Sequence, residues 1–175
     1  MSSSFRYALF DFDGVIVDSE PTRLKTYRTL FQQVYGVRVE IDPLIMVGQP
    51  ESYNLKGILK SVGLDHNEKI VHGLKLTRSK ILVDQAIKGF PTIKNVLDII
   101  EHLKLMDIPM AIVTNSSSDY LFAALESIQF DRKDFITVTG DDVSAPKPDP
   151  QGYLKAVREL GGLSIGGLAF EDSVT

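Results

Sequence analysis

Cysteine is absent from all 175 residues. Its absence excludes disulfides, thiolate nucleophiles and cysteine-based zinc sites, and agrees with a reducing compartment. No segment approaches the ~20 consecutive apolar residues of a membrane span. The amino-terminal Met1-Ser2-Ser3-Ser4-Phe5-Arg6 lacks the basic stretch and long apolar run of a secretory signal, because Asp11 interrupts the only apolar candidate. An excess of positive charge is missing too: 19 Lys and Arg stand against 23 Asp and Glu, a formal net charge of -4. No general electrostatic case for nucleic acid or an anionic membrane follows, so any anion site must rest on a few placed residues. The expectation is a soluble, cytoplasmic protein, a monomer or weak dimer, with neither nucleic acid nor membrane as a partner.

What is present is a hydrophobic content of 43%, ordinary for one domain, or one domain carrying a modest insertion. Four short apolar runs read as buried strands, and each stops at polar residues. Tyr7-Ala8-Leu9-Phe10 runs into Asp11-Phe12-Asp13-Gly14, and Ala111-Ile112-Val113 into Thr114-Asn115-Ser116. Phe135-Ile136-Thr137-Val138 is followed by Asp141-Asp142 and then Pro146-Lys147-Pro148-Asp149-Pro150. Gly167-Leu168-Ala169-Phe170 stops at Glu171-Asp172-Ser173. Ligands of open α/β sheets sit at the carboxyl ends of strands, which is where these polar residues fall.

Between the first and second strands the pattern is helical. Leu24, Tyr27, Leu30, Phe31 and Val34 mark one helix ending near Gly36, and further helices are expected over 51–62 and 67–86. From Pro91 strands and helices alternate. Helices are expected over 92–105, 118–129 and 149–160, the last with Tyr153, Leu154 and Val157 inward and Gly161-Gly162 as its stop. The reading is an α/β fold: a Rossmann-like, doubly wound parallel sheet over 1–16 and 88–175, with an all-helical cap inserted over 17–87 that can hinge as a lid. His66, His72 and His102 fall on predicted helices or their ends, outside every motif.

Asp11-Phe-Asp13-Gly14-Val15, Thr114-Asn115, Lys147 within Lys-Pro-Asp-Pro, and Glu171-Asp172-Ser173 together resemble the four sequence motifs of the haloacid dehalogenase superfamily. The resemblance runs from Ala8 to Val174 and is to members with an α-helical cap, the phosphatases and β-phosphoglucomutases. Members resembling this chain continue past its end with a glycine, a helix and a further strand, so the sequence reads as truncated at the carboxyl terminus, with the last strand at a sheet edge.

The residues support phosphate chemistry in their own right. Adjacent carboxylates repel by ~1 kcal/mol at 4 Å in water and ~4 kcal/mol at an effective dielectric of 20. Acids such as Asp11, Asp13, Glu171 and Asp172 coexist around a divalent cation, and oxygen-only ligands suit Mg²⁺. Lys147 offers a point charge for a phosphate oxygen, and Thr114 with the amides around Asn115 offers hydrogen bonds to another. Asp11 is the expected nucleophile, forming an aspartyl-phosphate, and Asp13 the general acid and then base. These roles follow the resemblance position by position. It likewise implies a metal held by the Asp11 carboxylate, the Asp13 main-chain carbonyl and Asp172, with Glu171 in support.

The resemblance also narrows the reaction. Members that cleave carbon–halogen bonds lack an acid at the position of Asp13. The mutases carry a histidine where this chain has Arg23 and an arginine where it has Glu51. A phosphatase acting on a small phosphorylated metabolite is therefore expected, with 48–54 and Arg23 or Lys56 as candidate substrate contacts. The alternatives are a phosphosugar mutase and an inactive phosphate-binding module.

Overall fold

The computed structural model describes residues 5–46, 49–162 and 166–173. Among them the apolar runs form strands β1 (Tyr7–Phe10), β2 (Met110–Val113), β3 (Ile136–Val138) and β4 (Gly167–Phe170). The strands pair in parallel in the order β3-β2-β1-β4. β1 and β2 are buried along their whole length, which is why their sequences are unbroken apolar runs: an internal parallel strand has no wet face to alternate toward. β4 lies at the edge, largely exposed.

Chain order steps from β1 to β2 to β3 on one side and returns with β4 on the other side of β1. The switch between β1 and β4 opens the crevice in which sheets of this type bind ligands. Phe10 is in register with Phe170, and their rings stack at 4.5 Å and 5°. Asp11 and Glu171 therefore leave the sheet at the same level, and the Asp11 amide still donates to the Phe170 carbonyl at 3.0 Å.

Helices among the described residues are α1 (Glu20–Tyr35), α2 (Pro43–Met46), α3 (Glu51–Ser61), α4 (Glu68–Lys88), α5 (Val96–Leu105), α6 (Ser118–Ser127) and α7 (Gln151–Glu159). None is long and apolar enough to cross a membrane. The chain divides into two compact units, Met1–Ser19 with Ala86–Thr175, and Glu20–Gln85.

The first unit holds the sheet. Tyr7, Leu9, Ala111, Val113 and Val138 pack with Ala156 and Val157 of α7, and each fully buried Leu or Val side chain contributes ~1.5–3 kcal/mol. α6 begins where Ser117 accepts from the Tyr120 amide and Asp141 Oδ2 accepts from the Ser118 amide at 2.7 Å; an acid there also favours the positive end of the helix. Inside the second unit, Leu30, Phe31, Leu55 and Leu59 are fully buried in a core completed by Tyr27, Ile58, Val71, Leu74 and Ile81. α1 carries Pro21 in its first turn, where the missing amide proton costs nothing.

Several expectations shift. The helix expected from residue 92 begins at Val96, because Thr92 bridges Val17 and the Ile93 amide donates to the Ile16 carbonyl at 2.9 Å. Asn95, at φ 67°, then turns the chain into α5. Val34 and Leu154, expected on apolar faces, are 44% and 45% exposed. The helix spacing placed each at the margin of its stripe, where a neighbouring residue takes the inward position.

Candidate active site

Three strand ends in the first unit converge on one carboxylate. Asp11 follows β1; its Oδ1 accepts from the Phe12 amide at 2.7 Å and lies 2.8 Å from Lys147 Nζ. Burial pushes the Asp11 carboxyl up, the Lys147 ammonium opposes it and the Glu171 charge adds to it, leaving it at about 6. A carboxyl at that value is largely ionised at neutral pH.

Lys147 is saturated. Its ammonium meets Asp11 Oδ1 at 2.8 Å, Glu171 Oε1 at 2.9 Å and the Val113 carbonyl at 3.0 Å, three acceptors for three donors. Asn115 fixes the backbone beneath it. The Asn115 Oδ1 accepts from the Lys147 amide at 2.8 Å, and its Nδ2 donates to the Lys147 carbonyl at 3.2 Å. The Asn115 side chain is thus engaged with the Lys147 peptide. Thr114 is buried, with its hydroxyl accepting from the Ser116 amide at 3.1 Å. The cap of α6 lies just beyond this stretch, at Ser117.

Glu171 receives the Lys147 ammonium and the Tyr153 hydroxyl on Oε1. Burial pushes the Glu171 carboxyl up, but those two donors and the Ser173 hydroxyl outweigh it and hold the group below its ordinary value. The Tyr153 phenol is pushed up, first by burial and then by its bond to Glu171. Tyr153 was expected simply to face inward; its ring does lean on the core while its hydroxyl serves the acid.

Carboxylate oxygens of Asp11, Glu171 and Asp172 all lie within 4.8 Å of one another. Oxygens bound opposite each other on Mg²⁺ are ~4 Å apart, from its ~2.1 Å bonds, so this all-oxygen set fits that ion. Gly14 makes room for the Asp172 carboxylate. At φ +83°, a Cβ on Gly14 would stand 2.1 Å from Asp172 Oδ2.

Three hydroxyls donate to Asp13. Oδ1 accepts from the Ser19 hydroxyl at 2.5 Å and the Tyr120 hydroxyl at 2.6 Å, and Oδ2 from the Ser116 hydroxyl at 2.8 Å. Ser19, Tyr120 and Tyr153 were not foreseen as site residues. Ser19 lay in a connector, Tyr153 read as an inward helix position and Tyr120 fell within a predicted helix without being singled out, so only a polar tip on a core-facing ring could have flagged the tyrosines.

The candidate substrate contacts lie in the second unit. Glu51 Oε1 meets Arg78 Nη1 at 2.8 Å, and Arg78 Nη2 donates to the Arg23 carbonyl at 2.9 Å. The Arg78 guanidinium is 4% exposed and stacks 3.9 Å from the Tyr27 ring centroid. The Arg23 side chain stands 4.0 Å from Glu20, and the exposed Lys56 pairs with Glu68 at 2.5 Å. Gly48 and Val174 lie outside the described residues.

The sequence profile described as haloacid dehalogenase-like hydrolase matches residues 8–175. A validoxylamine A 7'-phosphate phosphatase of Streptomyces hygroscopicus subsp. limoneus is 27% identical over 97% of the chain and 78% of its own length. A phosphorylated carbohydrates phosphatase of Thermotoga maritima is 27% identical over 94% and 75%. The crystal structure of CbbY from Rhodobacter sphaeroides in complex with phosphate superposes with a TM-score of 0.81 at 21% identity, over 97% of this chain and 79% of that one. At that identity the superposition speaks for the fold alone.

Proposed function

This chain belongs to the haloacid dehalogenase-like hydrolases, and we propose that within that family it is a Mg²⁺-dependent phosphatase of a small phosphorylated metabolite. The observation that carries this reading is the Asp11 carboxylate, half-buried at the β1 end, with Lys147 at 2.8 Å and the Glu171 and Asp172 oxygens within 4.8 Å. Relatives described as phosphatases of phosphorylated carbohydrates and of a phosphorylated validoxylamine support the substrate class.

In the first half-reaction Asp11 attacks phosphorus, the bond to the leaving oxygen breaks, and Asp13 gives that oxygen its proton. In the second, water attacks the aspartyl-phosphate, Asp13 takes the proton, and Asp11 is released with inorganic phosphate. Lys147 neutralises a phosphoryl oxygen by yielding one of its present carboxylate partners, and the main-chain amides around Asn115 with the Thr114 hydroxyl take another. Asp11, Asp172 and the Asp13 carbonyl would hold Mg²⁺, with Glu171 in support; the ion supplies charge neutralisation and orientation of the phosphate. The second unit, Glu20–Gln85, serves as the cap, and Arg23, Lys56 and the segment ending at Asn54 are its candidate contacts to the substrate.

The test is a panel of hexose and short-chain phosphate esters with the chain and Asp11→Asn, with and without chelator. Turnover that vanishes in Asp11→Asn and on chelation, with a labelled acyl phosphate trapped on Asp11 after acid quench, is the expected result. Full activity in Asp11→Asn refutes the nucleophile, and a second sugar phosphate as product in place of inorganic phosphate refutes the hydrolase.

A further inference from the structure

Asp13 is gripped by three hydroxyls, and they are not equivalent. Ser19 and Ser116 carry theirs on a single short rotor. The Tyr120 hydroxyl, 2.6 Å from Oδ1, stands at the end of a ring that is 2% exposed. That ring is held on two sides: Phe12 meets it edge-on at 6.3 Å and 87°, and Phe90 at 5.9 Å and 45°. Phe12 is the residue between Asp11 and Asp13, so the ring that fixes Tyr120 belongs to the same turn as both acids. A phenol is also a stronger hydrogen-bond donor than a serine, because its pKa is near 10.

We infer that Tyr120 is the positioning residue for Asp13: its buried hydroxyl holds Oδ1 so that the carboxyl is aimed for proton transfer to the leaving oxygen. The inference rests on the phosphatase reading above and names a role that the motif residues do not carry. Proton transfer requires a carboxyl within hydrogen-bond reach of the departing oxygen, and a side chain free to rotate about two bonds spends little time there. Tyr120 acts through Asp13. A packing role alone would need only the ring.

Leaving groups separate the two. When a hexose phosphate transfers its phosphoryl group to Asp11, the P–O bond breaks to an alkoxide that must take a proton from Asp13 as it leaves. Dinitrophenyl phosphate breaks the same kind of bond to a phenolate that departs without one. The measurement is the first-turnover rate of aspartyl-phosphate formation, by acid quench, for dinitrophenyl phosphate and for the fastest alkyl ester of the panel. It is made in the wild-type chain, Tyr120→Phe, Phe90→Leu and Asp13→Asn.

Tyr120→Phe keeps the ring and removes only the hydroxyl. Its alkyl-to-aryl rate ratio is expected to fall about tenfold, a part of the 10²–10⁴ that general acid catalysis supplies and that Asp13→Asn should lose. Phe90→Leu leaves the hydroxyl in place and loosens the ring, so the ratio should fall less. Ratios at the wild-type value in both Tyr120→Phe and Phe90→Leu, beside a lowered ratio in Asp13→Asn, overturn the inference and leave the phosphatase reading standing. No phosphoenzyme from either ester in the wild-type chain overturns that reading and the inference with it.

Discussion

Gly14→Ala separates holding the metal from holding the fold. The new Cβ would stand 2.1 Å from Asp172 Oδ2 and 2.7 Å from its Cγ, so the carboxylate must leave the place it now occupies. Asp172 is exposed, and its side chain can swing into solvent at little cost. The direct penalty is therefore the backbone one, ~1–2 kcal/mol for an L-residue at positive φ. For a chain of this size that is a drop of about 2–8 °C in melting temperature, at ~2–4 °C per kcal/mol. Mg²⁺ affinity should suffer more. Losing even an outer-shell partner costs about 10–100-fold in metal affinity, so displacing a direct ligand should cost at least tenfold. Titration calorimetry of Mg²⁺ into the wild-type chain, Gly14→Ala and Asp172→Asn reads the affinity without any turnover. A second reading comes from the melting temperature with and without the ion: at a hundred times the wild-type Kd, Mg²⁺ adds ~2.7 kcal/mol to the native state, and a tenfold weaker site leaves only ~1.4 kcal/mol, so both variants should lose about half of the increment or more. Wild-type Mg²⁺ affinity in Gly14→Ala would show that Asp172 is not a ligand where it now stands, and the metal assignment would fail.

Glu51→Ala should destabilise the second unit. It strands the 4% exposed Arg78 guanidinium without its carboxylate, and stranding a fully buried charge costs ~3–5 kcal/mol. Because Glu51 is itself 29% exposed, about 2 kcal/mol is expected in denaturant unfolding, and a change under ~0.5 kcal/mol would rule the pair out as a contributor. Acid stability should carry a signature of Asp142, whose carboxyl is held below its ordinary 3.8 by the Thr139 amide and hydroxyl. A group with a depressed folded value contributes stability that is present above its unfolded value and lost as pH falls through the folded one. Asp142→Ala should accordingly narrow the stability difference from wild type below pH ~4, and a difference independent of pH there would refute the Thr139 bonds to Asp142 as its source.

Much of this was legible because parallel α/β folds put their chemistry at strand ends. β1 and β2 are internal and so unbroken apolar runs, and Asp11, Lys147 and Glu171 come at or shortly after the points where such runs stop. What stayed hidden depends on contacts distant in sequence. Tyr120 lies 107 residues from Asp13, and nothing near Tyr120 hints at a carboxylate. Arg78 is the clearest failure of periodicity. It occupies the helix face of Leu74 and Ile81 and is buried, while Leu76 beside it is 56% exposed. The sequence reading passed over Arg78, yet a guanidinium that finds a carboxylate, a carbonyl and an aromatic face can take a core position.

Asp11 and Asp13 are two residues apart on one turn and have the same side chain, so any difference in their chemistry must come from their surroundings. Asp11 faces ions: a lysine at 2.8 Å and two further carboxylates whose oxygens lie within 4.8 Å. That setting favours a carboxylate that stays ionised, bonds phosphorus and shares a cation. Asp13 accepts from three hydroxyls, those of Ser19, Ser116 and Tyr120. A hydroxyl can donate to a carboxylate or accept from a carboxylic acid by turning its proton, so these three bonds tolerate either protonation state without moving a heavy atom. A group that must give a proton in one half-reaction and take one in the next needs that tolerance. Replacing these hydroxyls with a lysine would remove it, because an ammonium only donates and would hold Asp13 in its ionised form.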